Sequence, residues 1–332
     1  QAEILPDWLG IGSPWIWPIT LAAGLLLGVA IGALQGGVVA YIGVPSFIVT
    51  LGGLLVWRGV AWWMASGRTI APMDETFQVF GGGARGTLGG TWTWIIGILG
   101  CVAVVLLLWN RRRARKRVGF EPRPMWAELL IGGVAIAAIL GAVAVINSYP
   151  MPEALARRYA EENGIAWPPE GLTISLGLAT PVLVVIVVGI AMHFVATRTR
   201  YGRYVYAIGG NPEAANLAGI KTRWTIVKTF MLMGLLVGVA AAVQIARLNA
   251  ATSGLGTLAE LYVIAAAVIG GTSLSGGVGT IPGAILGALV MQSLVSGMVL
   301  LGLDAPLQDI VVGVVLVVAV AVDSWYRRRV ST

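Results

Sequence analysis

Residues 198–222 read RTRYGRYVYAIGGNPEAANLAGIKT, a polar and basic stretch between two long apolar runs at 173–196 and 224–246. Its second half carries the punctuation of a short helix over 212–218. Asn211 is a capping residue, and Pro212 takes the first helical position, where a missing N–H costs nothing. Glu213 brings a negative charge to the first turn, which suits the helix dipole. Gly219 ends the helix with a residue that tolerates positive φ. A helix this short is not stable alone in water. It needs a surface to dock on, and the partner expected is another protein.

Outward from this loop the chain is apolar. Of its 332 residues, 57% are hydrophobic and 11% charged, against about 25% charged in soluble domains. Mean hydropathy is +0.85. Runs of about 20 apolar residues, the length that crosses a bilayer, recur along it. The fold expected is all-α, a polytopic transmembrane bundle forming one domain over residues 1–332. Nine spans are read, at 15–40, 44–66, 91–109, 126–147, 173–196, 224–246, 259–275, 281–301 and 307–325.

The basic residues divide unevenly among the connections. Arg111, Arg112, Arg113, Arg115, Lys116, Arg117 and Arg123 lie in 110–125. Arg198, Arg200, Arg203, Lys221 and Arg223 lie in 197–223, and Arg327, Arg328 and Arg329 in the tail. The alternate connections hold only Arg68, Arg85, Arg157, Arg158 and Arg247. By the positive-inside rule the first set is cytoplasmic, which puts the C-terminus inside and residue 1 outside. Trp15, Trp62, Trp92, Trp126, Trp167 and Trp325 fall near span ends, as an aromatic belt does. The connections assigned outside, 67–90 and 149–171, are turn-rich, and the second carries a surface helix near 152–162.

Several functions are excluded. Net charge is +7, but no stripe of aromatics interleaves the arginines, so orientation explains the charge and nucleic acid is not a partner. The single Cys101 rules out an intrachain disulfide and a Cys-rich metal site. The lone His193 reads as a packed or interfacial residue. No acids stand at metal-ligand spacing, so no metal and no cofactor is expected. A phosphate-binding loop needs Lys beside its last Gly, and Ile220 separates Gly219 from Lys221. No nucleotide site is expected in the chain, and it is not expected to be an enzyme.

Small residues recur every four positions. Gly24, Gly28, Gly32 and Gly36 form one ridge, Gly279, Gly283 and Gly287 a second, and Gly234 and Gly238 a shorter one. Bare faces of this kind let membrane helices approach closely. Arg58 and Glu260 are charges within or beside apolar spans. Such residues are functional candidates, because burying them in lipid costs about 2.5–3.5 kcal/mol at the span centre. Few charges inside the bundle argue against ion coupling.

Three blocks then carry a family resemblance: VPSFIVTLGGLLVWRGV (44–60), TRYGRYVYAIGGNPEAANLAGI (199–220) and AELYVIAAAVIGGTSLSGGVGTIPGAILGA (259–288). They resemble the permease subunits of bacterial sugar ABC importers of the ribose/xylose/galactose group, and the basic 110–125 connection is most like the D-xylose type. The family pattern begins with a further segment ending near I-D-L-S-V-G, which nothing here matches. The chain also opens on Gln1 with no signal peptide in view, so an absent N-terminal part is expected; an odd number of spans, taken as three, would restore a cytoplasmic N-terminus.

The resemblance implies a multi-pass protein of the bacterial inner membrane that forms a sugar pathway as two copies. It also implies a cytoplasmic ABC ATPase subunit and a periplasmic sugar-binding protein as partners, with membrane lipid around the bundle. The helix at 212–218 is then the coupling element, through Asn211, Pro212, Glu213, Ala214, Ala215, Leu217 and Gly219, within the coupling loop 197–223. The pathway or packing candidates are Arg58, Glu260 and the glycine ridges. Permeases for another polar solute, such as a branched-chain amino acid or nucleoside, remain an alternative, and an ion-coupled secondary transporter a weaker one.

Overall fold

The computed structural model describes residues 5, 8, 10, 13–83, 86–117, 119, 124–162, 164, 168 and 174–330, less the side chains of 154, 155, 158, 159, 162 and 323–330. Arg85, Arg123 and Trp167 lie outside the described residues, as do the side chains of Arg158, Trp325, Arg327, Arg328 and Arg329. Eight helices among these residues are long and apolar enough to cross a membrane. They are α1 (Ile16–Gly37), which runs on as a π-helix over Val38–Ile42, α2 (Ser46–Ala65), α4 (Gly89–Arg117), α5 (Met125–Ser148), α7 (Thr180–Arg198), α10 (Thr222–Leu248), α12 (Ile281–Leu300) and α13 (Ala305–Val330). Between them stand the short helices α3 (Glu75–Gln78), α6 (Glu153–Glu162), α8 (Arg200–Gly210), α9 (Pro212–Leu217) and α11 (Ala259–Ile269).

Contacts divide the chain into two compact units, one made of Gln1–Met73, Val185–Ala242 and Asn249–Thr332, the other of Asp74–Val184 and Val243–Leu248. In the first unit the glycine ridges meet backbone. A Cβ added at Gly28 would lie 2.3 Å from the Gly234 carbonyl oxygen, and one at Gly32 2.3 Å from that of Phe230. Gly36 lies against Val227 and Phe230, whereas Gly24 has open space where a side chain would go. The ridge of α1 thus docks on the Gly234–Gly238 face of α10, the geometry that small residues permit. A second contact joins α12 to α11, with Gly283 against the Gly270 carbonyl and Gly287 against that of Ala266. Ala265, Ala266, Met291, Met298 and Val312 form the buried cluster around it.

The span read at 259–275 differs from a membrane helix. Ala251 pairs with Ile70 at one end of the unit, and Gly277 meets Gly209 at the other. The chain does cross between these ends, but α11 has 11 residues, about 16 Å of rise against the ~30 Å of a hydrocarbon core. Turns at 252–258 and the glycine-rich 270–279 supply the rest. Gly271, Gly276 and Gly277 all have positive φ, and Leu258, just before α11, has φ of 63°. These residues end the helix on both sides, which hydropathy cannot register.

The second unit is a hairpin of α4 and α5 with an ordered hook. Gly97 admits Val143, and Arg112 pairs with Glu128 at 2.8 Å. Thr93, 1% exposed, donates to the Gly89 carbonyl at 2.8 Å and accepts the Leu178 N–H at 2.7 Å. Residues 174–179 are held there as bridges to Pro150, Gly89 and Thr87. For that reason α7 begins at Thr180 and not at 173 as the apolar run suggests.

Candidate functional site

The first site grows from the turn between α7 and α8. Thr199 caps α8 by accepting the Gly202 N–H at 3.2 Å and donates to the Val195 carbonyl at 2.6 Å. Gly202 is buried, and a Cβ there would lie 2.2 Å from the Ala196 carbonyl oxygen, so the chain folds back tightly. Helix α8 is amphipathic. Arg200 and Arg203 are exposed, while the tyrosines bond inward. Tyr206 donates its hydroxyl to the Gly279 carbonyl at 2.8 Å, and Tyr201 bonds the Thr229 hydroxyl at 3.0 Å. At the end of α8, a Cβ at Gly209 would fall 2.4 Å from the Gly277 nitrogen. The loop helices and the turn between α11 and α12 therefore touch backbone to backbone.

Helix α9 follows after a single linking residue. Asn211 Oδ1 accepts the Ala214 N–H at 2.9 Å, and Pro212 occupies the first turn. At the other end the Gly219 N–H reaches the Asn216 carbonyl at 2.9 Å and the Ile220 N–H the Ala215 carbonyl at 3.1 Å. With Gly219 at φ of 81°, this is the Schellman pair of bonds that closes a helix. The helix stops at Leu217, with Ala218 as its cap. Ala215 is 5% exposed and Leu217 89% exposed. Ala215 thus seats α9 on its own chain, and Glu213, Ala214 and Leu217 face away. Beneath α8 lies a cavity of about 460 Å³ bounded by Val195, Tyr206, Leu232, Ala267, Gly276 and Ala284.

The second site lies in the same unit, near the C-terminal end of α2. Arg58 Nη2 donates to the Thr257 hydroxyl, which itself donates to the Gly254 carbonyl at 2.6 Å. A recess of about 420 Å³ is lined by Leu55, Arg58, Gly59 and Trp62 of α2 with Ser253 and Gly254. Glu260 stands in the first turn of α11, where its charge suits the helix N-terminus; the bond of Arg58 goes to Thr257. Among the described residues, no group of three or more His, Cys, Asp and Glu is placed to hold a metal.

Sequence reasoning located α9 and both its caps but missed α8 and every long-range contact of this end. The signal for α8 was present in Thr199 as a cap and in Tyr201, Val205 and Tyr206 on one helical face. The approach of Gly209 to Gly277, and the bond of Arg58 to Thr257, leave no local trace.

A family model described as branched-chain amino acid transport system / permease component matches residues 8–320. The xylose transport system permease protein of Escherichia coli is 38% identical over 330 residues, 99% of this chain and 75% of that protein. Its counterpart in Haemophilus influenzae is 36% identical over 315 residues, 94% of this chain and 76% of the relative. The ribose import permease protein of Escherichia coli is 43% identical over 154 residues, 46% of this chain and 48% of its own length. No solved structure gives a significant match.

Proposed function

We propose, for a chain that belongs to the family of branched-chain amino acid transport system permease components, the work of the membrane-spanning subunit of an ATP-driven pentose importer, with xylose as its sugar. The observation that carries this reading is the 38% identity to a xylose permease over 99% of the chain. The family description names branched-chain amino acids, but the two xylose permeases align over 99% and 94% of the chain, so the sugar is preferred. The protein is a multi-pass component of the bacterial inner membrane. It transports and does not catalyse a reaction.

The mechanism follows from the α8–α9 end. A motor that closes on ATP must push on a stiff element, and α9 is one: capped at both ends and seated through Ala215. Its exposed side chains Glu213, Ala214 and Leu217 would enter a groove of the ATPase, with Arg203 and Lys221 as rim charges. Displacement of α8 passes to the turn at 270–279 through Gly209 on Gly277 and Tyr206 on Gly279, and so to α11 and α12. The coupling loop 197–223 acts within one permease domain, of which two copies form the pathway, and a periplasmic sugar-binding protein delivers the substrate.

Vesicles holding this chain alone should show no ATPase activity and no sugar accumulation. Both should appear when the ATPase subunit and the xylose-loaded binding protein are added. Accumulation by the chain alone on a proton or sodium gradient would overturn the importer reading in favour of a secondary transporter.

The orientation proposed from basic residues has its own test. Cysteine at Arg115, at the exposed end of α4, should resist a membrane-impermeant thiol reagent in intact cells, and cysteine at Glu161 on α6 should react. The reverse pattern would place the C-terminus outside and leave α9 on the wrong side for an ATPase.

A further inference from the structure

We infer that Arg58 and Trp62 on α2, with Ser253 and Thr257 on the irregular backbone before α11, form a contact site for a free pentose inside the membrane pathway. This rests on the importer reading above and goes beyond it by naming where the protein itself touches the sugar.

Arg58 is a full charge in the C-terminal half of an apolar helix. Charges at such positions face water-filled cavities or protein, because lipid does not solvate them. The structure supplies the cavity: a recess of about 420 Å³ opens beside it, with Trp62 one turn further along α2. The opposite wall is not helical. Residues 252–258 are turns, and Leu258 is held at φ of 63°. Irregular backbone within a membrane span persists where it lines a cavity or is buried in protein. Broken helices of this kind mark substrate sites in transporters.

The groups present match a polyol. The guanidinium of Arg58 has five N–H donors in a planar fork, and its bond to Thr257 uses one of its two terminal nitrogens. Vicinal hydroxyls suit the remaining donors. Ser253 and Thr257 each offer a hydroxyl that donates or accepts. The indole of Trp62 is 57% exposed and presents an apolar face to the C–H side of a sugar ring, the division of labour usual in ligand sites. The recess lining includes Arg58 and no acidic residue, so a neutral solute is preferred over a cation.

The experiment uses the complete importer in vesicles, with D-xylose as the probe. Arg58→Gln should lower uptake roughly ten- to hundredfold, the range for losing a hydrogen bond to a charged group, and Trp62→Ala roughly severalfold through the lost aromatic face. Assembly with the ATPase, read by co-purification, should stay at the wild-type level, since α9 is untouched. Thr257→Val, which removes the partner of Arg58 but keeps its charge, should fall between wild type and Arg58→Gln. A second measurement does not depend on turnover. In a Cys101→Ser background, Ser253→Cys should react with a small water-soluble thiol reagent, and millimolar xylose should slow that reaction at least severalfold. Normal uptake in Arg58→Gln, or labelling of the cysteine at 253 that xylose leaves unchanged, would overturn the site while leaving the importer intact. A wild-type complex that imports no pentose would remove the importer reading, and this site with it.

Discussion

Leu217→Asp is expected to reduce ATP-driven sugar uptake to background without unfolding the protein. Leu217 is 89% exposed, and none of the bonds that close the helix involves its side chain. The substitution therefore changes the outward face alone. Truncating a central apolar anchor at an interface costs about 2 kcal/mol or more, a factor of roughly 30. An aspartate carried into the same groove adds the cost of an unpaired buried charge. Co-purification of the ATPase and vesicle uptake should fall together, while the thermal unfolding of the isolated permease stays put. Asn211→Ala should lie between, since losing an N-cap costs about 1 kcal/mol. Unchanged uptake and co-purification in Leu217→Asp would mean that the motor docks elsewhere.

The second large effect belongs to the contact of α1 with α10. Gly28→Leu and Gly234→Leu should each prevent stable assembly, because the first atom of the new side chain would lie 2.3 Å and 2.0 Å, respectively, from the opposing carbonyl oxygen. The obstacle is backbone, which cannot rotate aside as a side chain does. Overpacking a core costs typically about 1–3 kcal/mol where side chains absorb the strain, and here the whole helix must move. Gly24→Leu, on the same ridge but facing open space, should keep its unfolding temperature and its uptake. Equal stability of Gly28→Leu and Gly24→Leu in detergent would show that the ridge is not a packing seam.

The comparison of those glycines shows what sequence can carry. Their four-residue spacing was legible, and so was the ridge as a bare face. Which partner it meets was not, nor that a side chain at Gly24 would meet open space, because a period fixes a face and says nothing about where the neighbouring helix crosses it. Eight long helices were legible from hydropathy, since length and apolarity alone are needed to cross a bilayer. The ninth crossing was read as a uniform span because Ala259–Ile269 is as apolar as its neighbours, and its breaks lie in φ angles at Leu258 and Gly271. The helix α9 was legible down to its caps, since Asn211, Pro212 and Gly219 each act on backbone within a few residues. The inward turn of Ala215 and the exposure of Leu217 depend on how α9 sits on its own chain, which no local rule supplies. Arg58 was legible as an odd charge, but its bond to Thr257 spans 199 positions.

The broken crossing around α11 has a mechanical consequence. A helix such as α10, 27 residues without interruption, moves as a rod, and bending it means breaking bonds between successive turns. The 11 residues of α11 are instead a short bar between two joints, one at 252–258 and one at 270–279. Each joint already lacks the helical bonds that a bend would break, so the bar can move together with α12, on which Ala266 and Gly270 are packed, without unwinding. One joint is in contact with α8, and the other holds the Thr257 that Arg58 grips. Under the importer reading a push at the first would be passed along the bar to the second, and the joints should be the stretches whose backbone amides exchange with solvent soonest.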